Sequence, residues 1–245
     1  MAGPREDVLI RPATAADAAA MGDVHVDSRE ANVGSMPAMV NTRDETHTWM
    51  AHRLAGESEG WVAEVGGRVV GYLVLTHDWV DDLFLLPEAT GRGIGAALLD
   101  LVKAQRPDGF RLWAFESNRG ARRFYARHGL VELERTDGSG NNEKAPDVKM
   151  AWPGADPLGY LRRLVDDVDA ELGDLLARRT ALTRVIQSQK DETARDPERE
   201  AEITAAMARR APGLGEERLA RIVHVIISES LDAARARQRS AEITK

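Results

Sequence analysis

Apolar and polar positions follow two different rhythms along this chain, and the rhythm changes near residue 153. Before that point short β-type runs are interleaved with helical ones. Val8–Arg11 reads as a strand, Thr14 is placed to cap a helix reaching about Glu30, and a second helix is expected over Arg43–Ala55. Trp61–Val65 and Val69–Leu75 flank Gly66-Gly67, a pair suited to a two-residue hairpin turn. Val80–Leu86 and Phe110–Phe115 read as further strands, Ile94–Gln105 and Asn118–His128 as helices, and Leu130–Glu134 and Asp147–Trp152 as the last strands. This pattern predicts an α/β (α+β) domain built on a mixed sheet.

Beyond it only the helical period persists. Leu158–Lys190 places apolar residues at 158, 161, 164, 165, 168, 172, 175 and 176 and onward, Pro197–Arg210 forms a second helix, and Gly215–Gln238 a third. The junction from Ala151 to Pro157 holds two prolines and a glycine, which stop regular structure. Two domains are therefore expected, residues 1–153 and 154–245. At about 1.5 Å per residue the first long helix spans roughly 50 Å. A domain of roughly 90 residues has a radius of gyration near 12 Å and cannot cover such a stripe alone. A partner chain is expected on it.

Composition sharpens the division. Of the 12 aromatic residues only Tyr160 lies beyond residue 153, and 16 of the 21 glycines precede it. The net charge of −7 argues against sequence-independent nucleic-acid binding, which needs a basic surface. The absence of cysteine excludes disulfides, thiolate nucleophiles and cysteine-held metal, and no metal site is expected. No apolar run approaches the roughly 18–20 residues of a spanning helix, so no membrane partner is expected. Met1–Asp7 carries three charges and no apolar stretch, so no secretory signal and a cytoplasmic location are expected.

One segment of the first domain has the chemistry of a phosphate cradle. After Leu83–Leu86, Pro87 stops the strand, and Thr90-Gly-Arg-Gly-Ile-Gly95 opens a helix. Glycines at 91, 93 and 95 let backbone N–H groups converge, and the helix N-terminus adds its positive end. An ordinary strand-to-helix turn would also account for the pattern. Two blocks in order, Pro87–Gly95 and Asn118-Arg-Gly-Ala-Arg-Arg-Phe-Tyr-Ala-Arg-His-Gly-Leu130, resemble the GNAT-type N-acetyltransferases, over about residues 8–152. Thr90 stands where that family prefers Arg or Gln.

The resemblance implies acyl transfer from acetyl-CoA, as co-substrate, to an amine that the sequence does not identify. Gly91, Arg92, Gly93, Ile94, Gly95 and Ala96 would hold the pyrophosphate. The strand ending at Leu85–Leu86 would splay from its neighbour, with the Leu85 amide polarising the acetyl carbonyl. Asn118 would touch the pantetheine arm and Tyr125 would protonate the departing thiolate. Asp81 or Asp82, with Asp81 preferred, is the candidate base that takes the amine's proton; a solvated strand end is the plainer alternative. Trp49, Trp61, Trp79 and Trp113 are expected in the core or as acceptor-pocket walls.

In the second domain the charges are placed. Arg179 and Lys190 are three helical turns apart and share a face, Arg162 and Asp169 share another, and Asp196, Arg199 and Glu200 form a group at i, i+3 and i+4. Asp196 before Pro197 is also a good helix cap. Arg162, Asp169, Arg179, Lys190, Asp196, Arg199, Glu200 and Ser230 together resemble the all-helical chorismate mutases, across about residues 157–238. The resemblance implies a three-helix fold intertwined as a homodimer, with Arg162 entering the partner's site. Arg162 and Arg179, supported by Arg199, would clamp the carboxylates of chorismate. Lys190 would meet the breaking ether oxygen, and Asp196 and Glu200 the hydroxyl. The family's second donor to that oxygen falls at Ala234. A bifunctional enzyme is implied, an N-acetyltransferase joined to a mutase forming prephenate. Isochorismate pyruvate lyase or aminodeoxychorismate mutase activity, or a helical domain that serves only dimerisation, are the alternatives.

Overall fold

The computed structural model describes residues 7–189 and 196–243, with side chains described as far as 236. The chain divides into two units, Met1–Arg162 and Arg163–Lys245. The first holds one sheet of β1 (Val8–Pro12), β2 (Glu59–Val65), β3 (Arg68–Thr76), β4 (Trp79–Leu85), β5 (Phe110–Phe115), β6 (Val131–Thr136) and β7 (Asp147–Trp152). Their order is β1-β2-β3-β4-β5-β7-β6, and every neighbouring pair is antiparallel except β4 with β5. Gly66 and Gly67 form the β2–β3 turn at φ 59° and 79°, the left-handed pair that such a hairpin requires.

Four helices complete the unit: α1 (Ala18–Ala31), α2 (Arg43–Ala55), α3 (Ile94–Gln105) and α4 (Arg119–Arg127). Thr14 opens a 3₁₀ turn, Ala15–Asp17, rather than α1 itself. There the Thr14 N–H and hydroxyl both donate to Asp17, which Arg11 also grips at 2.7 Å. Arg11 at the same time bonds Glu64 on β2, so one ion-pair cluster fixes the helix start to the sheet edge. Residues 70–75 of β3 are all buried, because the strand is covered on both faces. Tyr72 bonds His25 of α1 on one face, and on the other Leu85 lies between Gly71 and Gly95 of α3.

The second unit is helical. The helix α5 (Pro157–Ser188) begins in the first unit, where Tyr160 is buried against Gly109, and continues into the second beside α6 (Pro197–Arg210) and α7 (Glu216–Ile243). Asp156 and Asp196 each accept an N–H from the residue three further on, at 3.0 Å, and each precedes a proline at the first helical position. The break expected between α5 and α6 falls on residues outside those described. The third helix runs past its expected end at Gln238, since no proline or glycine follows in the Ala-, Arg- and Glu-rich stretch. Within the second unit α6 packs on α7. Along α5, Val165, Val168, Leu172, Leu175, Leu182, Val185 and Ile186 remain 48–62% exposed.

All five tryptophans lie in the first unit, so their fluorescence follows its unfolding. Leu98 is fully buried beneath the sheet. Leu98→Ala is expected to lower the stability read by tryptophan fluorescence in urea by about 2–5 kcal/mol, through lost burial and the cavity left behind.

Candidate functional sites

The parallel ladder between β4 and β5 is short: Trp79 pairs Arg111 and Val80 pairs Leu112, and there it stops. Beyond Val80 the strands part, and a cavity of about 780 Å³ opens at the gap. Its walls include Leu83 and Phe84 of β4, Ala114 and Phe115 of β5, His25 and Arg29 of α1, Trp49 and Arg53 of α2, and Asn118 and Tyr125. On the other edge β4 keeps its ladder to β3, with the Leu86 N–H donated to Val70 O at 2.8 Å. Alternation along an antiparallel strand then turns the amides of Leu83 and Leu85 away from β3, toward the gap.

Asp81 is an extra residue in β4: Val74 pairs Asp82 while Leu75 pairs Val80, so Asp81 has no opposite number. Such a bulge bends the strand and re-aims side chains, and both aspartates reach the cavity. Their environments differ. Asp81 is tied to Arg53 at 2.5 Å and remains 26% exposed. Asp82 is buried, its Oδ2 lies 3.8 Å from Arg53, and no hydrogen-bond partner meets that oxygen among the described residues. Burial pushes the Asp82 carboxyl up to about 7, against the pull of Arg53. Burial, with the nearby charge of Asp82, also raises the Tyr125 hydroxyl above its usual range, so it keeps its proton at neutral pH. Asn118 lines the same cavity, and its side-chain oxygen accepts the Ala121 N–H at 3.0 Å, capping α4 and fixing the helix that carries Tyr125.

At the far end of β4, Pro87–Ala89 makes one 3₁₀ turn, and Thr90 closes it by donating its hydroxyl to Pro87 O at 2.6 Å. Gly91 and Gly93 then adopt φ of 74° and 86°, a region closed to most side chains. Gly93 caps α3, whose first amides, at Ile94, Gly95 and Ala96, have no carbonyl earlier in the helix to meet. A Cβ at Gly91 or Gly93 would meet nothing within 4 Å, whereas Gly95 packs against Leu85 and Phe124. The turn is open over its two left-handed glycines and closed beneath the third.

In the second unit Arg179 of α5 is partly buried and donates to Ser230 Oγ of α7 at 2.6 Å. Ser230 in turn donates to Ile226 O. Arg199 bonds Glu202 at 2.6 Å on an exposed helix face, and Glu200 is half-buried on α6. Arg162 and Asp169 are exposed on α5. Lys190 lies outside the described residues. Ala234 is buried one turn beyond Ser230. Among the described mutase-type residues, Arg179 and Ser230 meet across two helices, while Asp196 meets Arg199 and Glu200 only within the first turn of α6.

His25, Arg29, Arg53, Phe84 and Glu143 line the cavity and carry no sequence motif. Each sits in an element where its residue type is ordinary, and only the crossing of α1, α2 and the β6–β7 loop over the gap gathers them. Trp49 lines the cavity as well.

Two family models match the chain, the acetyltransferase (GNAT) domain over residues 56–132 and chorismate mutase type II over residues 161–235. The peptidyl-lysine N-acetyltransferase YiaC of Escherichia coli K12 is 25% identical over 144 residues, covering 51% of this chain and 95% of that protein. An uncharacterized N-acetyltransferase of Archaeoglobus fulgidus is 35% identical over 95 residues, covering 33% of this chain and 64% of that protein. Among solved structures, apo YjaB of Escherichia coli superposes with a TM-score of 0.51 at 23% identity, covering 61% of this chain and 99% of that one, a likeness of fold. With the parted strands and glycine turn in one unit and the matched helices in the other, the chain carries a GNAT acetyltransferase domain followed by a type II chorismate mutase domain.

Proposed function

We propose that the first unit transfers the acetyl group of acetyl-CoA to a primary amine, using Asp82 as base and Tyr125 as acid. The observation that carries this is a buried carboxyl, Asp82, raised to about 7 and unpartnered at Oδ2, in the same cavity as a protonated tyrosine. A base poised near neutrality removes a proton most effectively there. Asp82 takes this role in place of Asp81, whose carboxylate is held by Arg53. The left-handed glycines and the first amides of α3 would receive the pyrophosphate, with Arg92 beside them. The Leu85 amide, turned toward the gap, would donate to the thioester carbonyl oxygen. The amine nitrogen attacks that carbonyl carbon, a C–N bond forms and the C–S bond breaks. Asp82 receives the nitrogen's proton, and Tyr125 gives its own to the thiolate. Solvent then returns both side chains to their starting states.

For the second unit we propose the rearrangement of chorismate to prephenate in a homodimer. This step needs no nucleophile or metal, only a held conformer and compensation of developing charge. Arg179, aimed by Ser230, would clamp one carboxylate bidentately, with Arg162, Lys190, Arg199, Asp196 and Glu200 as further binding groups. The exposed apolar stripe of α5 supports the dimer, because a monomer rarely leaves so long a contiguous apolar face to water.

Two experiments test these readings. The rate of acetyl transfer is expected to rise with pH about a midpoint near 7 as Asp82 ionises. In Asp82→Asn the rate should fall by about 10²-fold or more and the inflection should vanish; an unchanged profile would remove Asp82 as base. The sign for stability is opposite. From an unfolded carboxyl near 3.8 to about 7, ionising Asp82 works progressively against folding, and above that the cost is constant. In the second unit, prephenate formation followed by absorbance should fall about 10²-fold or more in Arg179→Ala with helicity intact. Val185→Asp should convert a sedimenting dimer to monomer; a wild-type monomer would overturn the dimer.

A further inference from the structure

The acetyl acceptor has to fit what the cavity offers, and on the α1–α2 side three aromatic rings, His25, Trp49 and Phe84, line it beside two arginines. The His25 ring stands 4.5 Å from Phe84 and 5.9 Å from Trp49. Burial, reinforced by Arg29, pushes His25 down to about 4, and its Nδ1 is 2.7 Å from the Tyr72 hydroxyl, so the imidazole is neutral at physiological pH. Each arginine at this wall has a carboxylate partner, while Arg29 Nε and Arg53 Nε are buried without a hydrogen-bond partner among the described residues. Arg53 pairs with Asp81 at 2.5 Å and Arg29 with Glu143 at 3.1 Å. Asp147 accepts from Thr136 and Asn141. Asp82 is the lining carboxyl with a buried oxygen left over.

One buried residue ties two of the cavity's loops together. Arg29, whose side chain is 6% exposed, donates to Pro37 O in the α1–α2 connection and to Glu143 in the β6–β7 connection, both at 3.1 Å. Its guanidinium lies 5.4 Å from the Phe115 ring centroid. Both connections supply cavity walls, so a buried cation holds two lining loops to each other. An acceptor carboxylate would have to compete with Asp81 and Glu143 for the two cavity arginines.

We infer that the acceptor is a small primary amine on a flat apolar body, an arylalkylamine, with its ring on the His25–Trp49–Phe84 wall and its nitrogen at Asp82. This rests on the acetyltransferase reading of the first unit. The nitrogen attacks the thioester carbonyl, the C–N bond forms as C–S breaks, and the products are the N-acetylated arylalkylamine and the CoA thiol. The nitrogen's proton passes to Asp82, and the sulfur takes one from Tyr125.

The test uses the full chain, acetyl-CoA and three probes: 2-phenylethylamine, L-phenylalanine and a lysine-containing peptide. The chain has no cysteine, so a thiol reagent reads released CoA without a protein background. The kcat/KM for 2-phenylethylamine is expected to exceed the other two by about tenfold or more. Trp49→Leu should raise its KM by about tenfold with a much smaller change in kcat; an unchanged KM would overturn this wall as the ring's seat. A peptide or phenylalanine turned over as well as, or better than, the arylalkylamine would overturn this acceptor class and leave the acetyltransferase reading standing. Acetyl-CoA binding by calorimetry with no amine turned over would likewise overturn the class. Absence of both binding and turnover would sink the acetyltransferase reading, and the acceptor class with it.

Discussion

The first unit depends on two parallel strands that stop pairing. A sheet normally satisfies every amide along its strands, yet β4 and β5 share a ladder at only two residue pairs before they part. The gap is what leaves the Leu83 and Leu85 amides turned toward a cavity rather than into a ladder. The bulge at Asp81 belongs to the same distortion, since it turns two successive acidic residues to one cavity.

Burial then separates two residues of identical chemistry. Asp81 keeps a guanidinium at 2.5 Å and some water, while Asp82 loses water without gaining a hydrogen bond at Oδ2. Desolvation of a carboxylate costs more than a cation at 3.8 Å returns, and the proton is retained to about pH 7. The same dry surroundings keep Tyr125 protonated and His25 neutral. One low-dielectric cavity thus holds a carboxyl that titrates about pH 7, a protonated tyrosine and a neutral imidazole.

The second unit works the other way. Its charged residues sit on exposed helix faces, and several serve the helices first: Asp196 caps α6, and Arg199 pairs with Glu202 one turn along. Arg179 is the exception, since Ser230 holds it from a different helix. An apolar stripe left 48–62% exposed on α5 is inconsistent with a finished surface. That exposed stripe is the observation on which the proposed dimer rests.

The sequence by itself determined the elements and the family-like motifs, because their causes are local. Thr42, Asn118 and Asp196 cap the helices that follow them, Gly66-Gly67 sets the hairpin, and α2, α3, β5 and β7 begin and end where pattern and punctuation place them. The placing of Asn118 and Tyr125 was legible for the same reason, since they lie seven residues apart on one capped helix. The start of α1 was less so, since the Arg11–Asp17–Glu64 cluster that shapes it draws on a strand far along the chain. What separates Asp81 from Asp82 is tertiary, because neighbours on a strand differ in the face they present and in what covers it. His25, Arg29, Arg53 and Glu143 had no local signal at all. They form one wall because α1, α2 and the β6–β7 loop cross over the parted strands, and burial, a property of the whole fold, sets the charge each of them carries there.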